Sequence, residues 1–498
     1  MKTSLFAGVT AAFLAVFAAA PGVGATDHAE CSHLAMLKLP DVKVTEATAV
    51  PAASSGAIRV AHCKVNGTIG SEIHFTLLMP DDWNRKFLMG GGGGFVGQVQ
   101  NQAGASVNDG YATVGTDTGH QAGITDGKWA LNNPERLVNF GYLAVHRTAE
   151  VAKAILRSYY GASETKSYFS GCSNGGRQAL MEAQRFADDF DGIVAGAPAY
   201  DFTAIGAQFI KDIQAVFPDP RNLSARLFTI ETMKSIEAQV VAKCDGLDGV
   251  KDGLIDDPRA CKVEVGSLTG LSDAQKTALK TVYAETRNKD GVIYPAQPVG
   301  GEGEAVNGWG QWIVGGTTGL PGINAPSARF AFGTEIFKYM VFNDPSWDYT
   351  RYEFSTYKKD TALAASVLNA TNANLDAFKA RGGKLIVWHG WSDPALTALG
   401  TIRYYDDVQA HDAKSADYFR MFMMPGVLHC AGGPGPDTAD WTAAIVDWVE
   451  HGKAPDRVVA KKLSAGAVTR TRPLCAYPQK AVYKGSGSID EADSFACR

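Results

Sequence analysis

The chain has no long apolar stretch beyond its first 25 residues, so the sequence predicts no membrane-spanning helix in the rest of it. It also lacks an excess of basic residues. The chain has 47 Lys and Arg residues and 52 Asp and Glu residues, which gives a net charge of −5. Because the sequence also contains no basic stripe, we expect no nucleic-acid partner. No internal repeat is visible. The composition, 45% hydrophobic and 20% charged, suits one large globular domain with an insertion, or two domains.

The sequence contains no Cys-x-x-Cys pair, which argues against zinc-thiolate and thioredoxin-like sites. There are eight cysteines, and an even number in an exported chain favours disulfides. Eight cysteines allow 105 connectivities, and the sequence alone does not choose among them. The eight are Cys31, Cys63, Cys172, Cys244, Cys261, Cys430, Cys475 and Cys497.

Residues 1–25 have the pattern of a secretory signal. Lys2 provides a positive start, Leu5 to Phe17 an apolar core, and Val23 to Ala25 a small-residue cleavage site. A buried N-terminal helix is the alternative, but the apolar run favours a signal cleaved after Ala25. We therefore expect export to the periplasm or the extracellular space.

The stretch Gly171-Cys-Ser173-Asn-Gly175 follows a short β-prone run and precedes a run of strong helix formers. A strand, Gly-x-Ser-x-Gly and a helix together are typical of a nucleophile elbow, in which flanking glycines allow a sharp turn that exposes the serine hydroxyl. In a chain with 54 glycines the pattern alone also fits an ordinary Gly-rich turn. The elbow therefore requires a histidine, an acid and an oxyanion hole elsewhere.

Five glycines, Gly90 to Gly94, follow the predicted strand Phe87 to Met89. Such a run resembles the loop that contributes one backbone N–H to the oxyanion hole of α/β-hydrolases. Apolar residues flank it closely on both sides, which argues against a flexible linker. Strands and helices then alternate to about residue 199, and this alternation predicts a mostly parallel sheet covered on both faces.

The regular alternation stops at about residue 200 and resumes at about residue 375. We interpret residues 200–374 as an inserted lid domain and residues 26–199 with 375–498 as the catalytic domain. Five aromatic residues of the insertion could form a slot for substrate, although aromatics at this density are more often lid core. They are Trp309, Trp312, Phe342, Trp347 and Tyr349.

An acidic loop between Cys244 and Cys261 lies within the insertion. Its aspartates are three and four residues apart and alternate with glycines, so they could surround a hard cation together with backbone carbonyls. The spacing is not that of an EF-hand, and a solvated acidic turn is the alternative. The bracketing cysteines favour a calcium loop.

Two further residues follow predicted buried strands in the last third of the chain. Asp393 comes after Leu385 to Trp388, and His429 comes after a strand that begins near Tyr418. Ser173, Asp393 and His429 occur in the chain order that α/β-hydrolases use. In this arrangement His429 is the general base and Asp393 orients its imidazole. His389 is the main alternative base, but its place on the same loop as Asp393 argues against it.

With Cys-Ser at the elbow and His-Cys at the base, the sequence resembles the tannase and feruloyl esterase family over essentially the whole mature chain. The resemblance implies an α/β-hydrolase fold and a disulfide between Cys172 and Cys430. The other cysteines would then pair locally, Cys31 with Cys63, Cys244 with Cys261, and Cys475 with Cys497. It also implies an oxyanion hole formed by the N–H of Asn174 and of one glycine of the run, for which we favour Gly93.

The same resemblance implies a structural calcium ion. Its ligands would be the side chains of Asp245, Asp248 and Asp252 and the carbonyls of Val250 and Leu254.

The function implied is a secreted serine carboxylesterase that hydrolyses small esters of hydroxycinnamic-type acids. A tannase acting on galloyl esters and a terephthalate half-ester hydrolase are the alternatives within the family. A non-catalytic protein that binds phenolics or glycans is the alternative from a different class. The sequence does not indicate an oligomeric state.

Overall fold

A computed structural model of the chain describes Met1, residues 28–315 and residues 325–498. Its main element is a nine-stranded sheet in the order β1-β2-β3-β5-β4-β6-β7-β10-β11. The strands of this sheet are β1 (Val42–Val50), β2 (His62–Ile69), β3 (Ile73–Pro80), β4 (Lys86–Gly90), β5 (Ala112–Thr116), β6 (Lys166–Cys172), β7 (Gly192–Gly196), β10 (Lys384–Gly390) and β11 (Phe419–Met424). Three two-stranded sheets pair β8 (Thr286–Asn288) with β9 (Gly291–Tyr294), β12 (Arg457–Ser464) with β13 (Ala467–Cys475), and β14 (Ala481–Tyr483) with β15 (Phe495–Cys497).

The sheet is parallel from β5 through β4, β6, β7 and β10 to β11. The opposite end is antiparallel, because β1, β2, β3 and β5 pair in that sense. The predicted α/β-hydrolase fold is confirmed. The strands β1 and β2 were not predicted, since the burial of β1 does not alternate strictly and most of its residues are exposed.

Thirteen α-helices lie among the described residues. They are α1 (Pro134–Val138), α2 (Ala144–Tyr160), α3 (Asn174–Arg185), α4 (Phe202–Val216), α5 (Ile230–Cys244), α6 (Asp273–Tyr283), α7 (Trp309–Trp312), α8 (Ala328–Glu335), α9 (Tyr357–Asp360), α10 (Ala362–Leu368), α11 (Asp376–Ala380), α12 (Ala398–His411) and α13 (Trp441–His451). A π-helical turn, Asn139–Leu143, joins α1 to α2, so residues 134–160 are helical almost without interruption.

Alternate residues of the parallel strands contribute to two separate apolar clusters, as expected when both faces of a sheet are covered. One cluster includes Phe87, Phe169, Ile193 and Leu385 and continues into the helices α2, α3 and α4. The other includes Leu88, Tyr168, Val194 and Ile386 and continues into α13. The carboxyl ends of β6, β10 and β11 meet at one edge of this covered sheet.

The helices α4 to α10 and the hairpin β8–β9 lie between β7 and residue 374. Within this segment α4 packs against α6 and α8. That residues 200–374 form a separate lid domain stays a prediction. The glycine-rich stretch 316–322 and the signal-like residues 2–25 lie outside the described residues.

The eight cysteines form four disulfides. The pairs are Cys31–Cys63, Cys172–Cys430, Cys244–Cys261 and Cys475–Cys497, the same pairs that the resemblance implied. No cysteine of the described chain is free. Disulfides of this number indicate folding in an oxidising compartment. Within the described ranges, no helix combines the length and the apolar character needed to span a bilayer.

Candidate active site

The turn between β6 and α3 presents Ser173 in a strained backbone conformation, with φ 65° and ψ −123°. The flanking glycines are required by close backbone approach. A Cβ at Gly171 would lie 2.6 Å from the Gly175 carbonyl oxygen. A non-glycine side chain here would force the strand and the helix apart, so the local sequence produces the sharp turn of a nucleophile elbow.

Ser173, His429 and Asp393 are brought together by three loops at the carboxyl edge of the sheet. The Ser173 Oγ lies 2.9 Å from Nε2 of His429. The other ring nitrogen of His429, Nδ1, lies 2.8 Å from Oδ2 of Asp393. The three side chains therefore form one hydrogen-bonded series in the predicted order, in a site that is largely closed to solvent.

Asp393 is fully buried, and burial alone would raise its pKa. The nearby His429 and His389 outweigh that effect and hold the pKa of Asp393 well below its usual value. Two backbone N–H groups, of Ala395 and Leu396, also donate to Oδ1 at 2.7 and 2.9 Å. The carboxylate is thus ionised, and its orientation is fixed from several sides.

His389 contacts Asp393 directly, although the sequence reasoning treated their shared loop as an argument against such a contact. Its Nε2 lies 3.2 Å from Oδ2 of Asp393. The ring is nevertheless occupied elsewhere, because Nδ1 bonds the Thr401 hydroxyl at 2.7 Å and Nε2 bonds the Leu396 carbonyl at 3.0 Å. His429, and not His389, is the imidazole at Ser173.

The glycine run lies beside the elbow, but its N–H groups are used unequally. The N–H of Gly92 donates to Gln178 at 3.0 Å, and the N–H of Gly93 donates to Gln100 at 2.8 Å. Gly94 lines the same pocket as Ser173 and Asn174, and its N–H has no acceptor among the described residues. The register of the run therefore points to Gly94 and not to Gly93 as the available donor.

A narrow apolar pocket opens onto Ser173. Apart from Trp312 with its indole N–H, only Ser173, Asn174 and His429 among the described lining residues have polar side chains. The other lining side chains are aromatic or aliphatic: Phe95, Ala199, Phe202, Ile205, Phe209, Trp312, Phe332, Ile336, Ala395 and Leu396. The amide of Asn174 is itself engaged by Gly92 and Arg177.

A family model described as "Tannase and feruloyl esterase" matches residues 56–498. The chain belongs to this family. An uncharacterized esterase of Xanthomonas campestris pv. campestris is 35% identical, over 95% of this chain and 92% of that protein. The mono(2-hydroxyethyl) terephthalate hydrolase of Piscinibacter sakaiensis is 33% identical, over 90% of this chain and 87% of that protein.

A solved member of the family has the same fold over nearly the whole chain. The crystal structure of feruloyl esterase B from Aspergillus oryzae matches with a TM-score of 0.84 at 28% identity, covering 94% of this chain and 99% of that one. Together with the named esterases and hydrolases among its relatives, this match identifies the chain as a carboxylic ester hydrolase of the tannase and feruloyl esterase family.

Of the five aromatic residues singled out in the sequence, Trp312 alone lines the pocket of this esterase. Its ring centroid lies 5.1 Å from that of His429. Trp309 packs edge-on against Tyr283. Phe342 and Trp347 stack on each other at 5.5 Å, away from Ser173. Tyr349 donates its hydroxyl to the Phe217 carbonyl, so four of the five serve the packing of the insertion.

Residues of the insertion also hold the two loops that carry His429 and Asp393. The amide of Asn307 donates to the carbonyl of His429 at 2.8 Å. The amide of Gln297 donates to the carbonyl of Asp393 at 2.9 Å. These residues were missed in the sequence, because no local pattern marks an amide whose partner lies about a hundred residues away.

Two more polar residues, the exposed Gln102 and the buried Arg177, hold the elbow and were not predicted. Gln102 accepts from the N–H of Cys172 at 2.7 Å, directly before the serine. Arg177 is fully buried and donates to Asn174 and to three backbone carbonyls, of Phe140, Gly141 and Leu368. Burial lowers the pKa of Arg177 to about 9. The one signal for Arg177 in the sequence was its position two residues after the Gly-x-Ser-x-Gly stretch.

The acidic loop predicted to bind calcium lies at the end of α5, bracketed by the Cys244–Cys261 disulfide. Burial raises the pKa of Asp248, and the neighbouring Asp252 carboxylate adds to the increase. Asp252 also forms an ion pair with Arg472. Carboxylate and backbone carbonyl oxygens have the donor chemistry that suits a hard cation.

Among the described residues, the side chains whose ligand atoms lie close enough together for a metal ion belong to a different group and not to the acidic loop. His146, Glu182 and Asp189 each offer one ligand atom, and these atoms lie within 4.8 Å of one another. This group was not predicted, because its members come from three separate elements.

Proposed function

We propose that this protein is an exported serine carboxylesterase that hydrolyses esters of neutral aromatic acids through an acyl-enzyme at Ser173. The proposal rests on one observation above all. A serine on a strained elbow is hydrogen-bonded to an imidazole, which is in turn hydrogen-bonded to a buried, ionised carboxylate. This arrangement supplies a nucleophile, a base and an orienting group.

In the first step Ser173 Oγ attacks the ester carbonyl carbon, and His429 Nε2 takes the hydroxyl proton across the 2.9 Å contact. Asp393 accepts the Nδ1–H of His429, which selects the tautomer with a free Nε2 and stabilises the imidazolium. The tetrahedral intermediate then collapses. The alcohol leaves with the proton from His429, and the acyl group stays on Ser173.

The N–H groups of Asn174 and Gly94 would donate to the oxyanion. Asn174 is the first residue of α3, so its N–H has no partner within the helix and lies at the positive end of the helix dipole. Gly94 replaces Gly93 in this role, because Gly93 donates to Gln100. Each donor of this kind contributes about 3 to 4 kcal/mol to transition-state stabilisation.

Hydrolysis of the acyl-enzyme repeats these roles with water as the nucleophile. His429 takes a proton from the water, the hydroxide attacks the acyl carbon, and His429 returns the proton to Ser173 Oγ as the acid leaves. No proton has to reach Asp393, whose pKa stays depressed by its two histidine neighbours.

The apolar pocket favours a hydroxycinnamoyl-type acid over a galloyl group and over the acid of a terephthalate half-ester. A galloyl ring carries three hydroxyls, and each one buried without a partner costs about 1 to 3 kcal/mol. The free carboxylate of a terephthalate half-ester costs more, since burying an unpaired charge is expensive. Among the described lining residues no charged side chain other than a protonated His429 is present to receive it.

The test compares kcat/KM for methyl ferulate, methyl gallate and mono(2-hydroxyethyl) terephthalate. We expect methyl ferulate to be the best substrate by at least about tenfold, which corresponds to about 1.4 kcal/mol. Ser173→Ala should reduce kcat on every hydrolysed ester by about 10⁴-fold or more, since triad members act as a unit. Unchanged thermal unfolding would show that the variant is folded.

Two results would contradict the proposal. A Ser173→Ala variant as active as the parent would refute the acyl-enzyme. A parent that binds phenolic esters but turns none over would instead favour a non-catalytic binding protein. Preference for the half-ester would leave the mechanism intact and refute the assignment of the acid.

We further propose that calcium binds the acidic loop as a structural ion. The side chains of Asp245, Asp248 and Asp252 would hold it with the carbonyls of Val250 and Leu254. An ion bound there would offset the burial of the Asp248 carboxylate, which raises its pKa, and the repulsion from Asp252 that adds to the increase. None of these residues lines the pocket of Ser173, so the ion would stabilise the loop and take no part in the chemistry.

Chelation should therefore lower the melting temperature by several degrees, because an ion that binds only the folded state stabilises it. Added Ca²⁺ should restore the loss. Asp248→Asn should remove this response, whereas Asp273→Asn, at an exposed helix start, should keep it. Metal analysis of fully active protein that finds no calcium would rule the site out.

A further inference from the structure

A second group of metal-ligating side chains lies between α2, α3 and the turn before β7. His146 lies on α2, Glu182 on α3, and Asp189 three residues before β7. The Nδ1 of His146 lies 2.6 Å from Oδ2 of Asp189. None of the three residues lines the pocket of Ser173 or belongs to the proposed calcium loop.

Glu182 is the unusual member of this group. Its side chain is fully buried, and neither carboxylate oxygen has a hydrogen-bond donor. Burial raises its pKa well above the usual value, and the Asp189 carboxylate adds to the increase. A buried carboxylate without a donor costs several kcal/mol and therefore requires a compensating cation or proton.

No described side chain places a positive charge in direct contact with the Glu182 carboxylate. Within the described residues, neither Glu182 nor Asp189 forms an ion pair with a lysine or an arginine. Lys153 is near, but its ammonium donates to the backbone carbonyl of Asp189 and not to a carboxylate. The two carboxylates therefore share one imidazole and the more distant charge of the Lys153 ammonium, and Glu182 has no direct partner for its negative charge.

We propose that His146, Glu182 and Asp189 bind one divalent transition-metal ion of the zinc type. One imidazole nitrogen and two carboxylate oxygens are ligands that zinc accepts, with water as the fourth. The Nε2 of His146 lies 3.6 Å from Glu150, and metal-bound imidazoles commonly have such a carboxylate at the other nitrogen. Two negative charges and one divalent ion would balance.

The ion would enter from the surface side of His146, whose side chain is 21% exposed. A tetrahedral ion with bonds near 2.0 Å separates its ligand atoms by about 3.3 Å. The contact between His146 and Asp189 must therefore lengthen slightly on binding. Because Glu182 belongs to the helix that begins at Asn174, the ion would anchor that helix to α2.

A proton shared between Glu182 and Asp189 is the alternative, and it makes different predictions. A shared proton neutralises one carboxylate without any metal. In that case Glu182→Gln keeps the hydrogen bond to Asp189 and leaves thermal stability nearly unchanged, and zinc has no effect on either protein.

The experiment titrates metal-free protein with Zn²⁺ by calorimetry and thermal unfolding, in saturating Ca²⁺ so that the acidic loop does not respond. We expect one Zn²⁺ per chain and a melting temperature that rises by several degrees. His146→Ala and Glu182→Gln should both lose the zinc-dependent rise. Co²⁺ in place of Zn²⁺ should give a visible absorption band that these variants lack.

His74→Ala is the matched control. His74 also pairs with a buried aspartate, with Nδ1 at 2.7 Å from Oδ2 of Asp117, but that pair lacks a third ligand of the kind that Glu182 provides. This variant should keep the full zinc response. No stoichiometric zinc binding, or binding that survives in both His146→Ala and Glu182→Gln, would overturn the proposal and favour the shared proton.

Discussion

Asp393 illustrates how a single carboxylate is held ionised in a closed site. Its Oδ1 accepts from the N–H groups of Ala395 and Leu396, and its Oδ2 accepts from His429 and lies 3.2 Å from Nε2 of His389. Hydrogen bonds to the charged form oppose the cost of burial. With its proton-accepting positions filled, Asp393 is suited to orient His429 and not to exchange protons.

The turn that presents the Ser173 hydroxyl places the residue in a strained backbone conformation, which costs about 1 to 3 kcal/mol. Three hydrogen bonds offset the strain. Its N–H donates to the Gly196 carbonyl, and its own carbonyl accepts from Arg177 and Ala199, all at 3.0 Å. The elbow is therefore fixed before substrate binds, as a preorganised nucleophile requires.

At this scale the sequence predicted the three residues that now form one hydrogen-bonded series, because their order along the chain and their positions after strands are visible locally. It did not predict that Gly94 and not Gly93 has the free N–H. That difference depends on Gln100, whose side chain takes the Gly93 N–H. Which of two adjacent backbone N–H groups is free depends on a tertiary contact, and the pattern of apolar residues in the sequence does not predict such a contact.

At the scale of elements, the helices α4 and α8 support the loop that carries Asp393. Arg329 of α8 forms a fully buried ion pair with Asp212 of α4. The same guanidinium donates to the Pro394 carbonyl at 2.7 Å and to Gln297. The inserted segment thereby fixes the backbone next to Asp393, so its packing and the geometry of the candidate site are coupled.

Arg329→Met should therefore lower the free energy of unfolding, by up to about 3 to 5 kcal/mol, because it leaves Lys211 as the one remaining cation at the buried Asp212 carboxylate. Denaturant unfolding monitors this change. In this variant kcat should fall by a larger factor than KM rises. The loop of Asp393 loses its support at Pro394, whereas the residues that line the pocket are unchanged.

Arg351→Met serves as the control for this prediction. Arg351 pairs with Asp348 at 3.4 Å, but its side chain is 86% exposed, and exposed pairs contribute little. Stability and kcat should both stay near those of the parent. If Arg329→Met behaved like this control, the buried pair would not hold the Asp393 loop.

The sequence predicted the elements of the parallel half of the sheet well, because buried parallel strands appear as short apolar runs between helical segments. It missed β1, whose outward position leaves it paired on one side only and largely exposed. The helices and strands of residues 200–374 were also not predicted, because short helices and irregular loops show no strong periodicity of apolar residues.

At the scale of the whole molecule, the disulfide Cys172–Cys430 joins the two ends of the site. It connects the elbow after β6 to the loop after β11, across a sequence separation of 258 residues. Cys172 directly precedes Ser173, and Cys430 directly follows His429. The bond therefore limits the distance between Ser173 and His429, the two groups between which we propose proton transfer. The other three disulfides have separations of 32, 17 and 22 residues.

Replacing both Cys172 and Cys430 with serine should damage catalysis more than replacing Cys475 and Cys497 does. In the chain-entropy account a closed loop of 258 residues is worth about 5.5 kcal/mol, against about 3.4 kcal/mol for one of 22 residues. Both double variants should therefore unfold at lower denaturant concentration. Under conditions where both remain folded, only the first should lose kcat, by about tenfold or more, since proton transfer needs a fixed distance from serine to imidazole. Equal kcat in the two variants, each verified as folded by circular dichroism, would mean that the Cys172–Cys430 bond stabilises the fold without positioning the site.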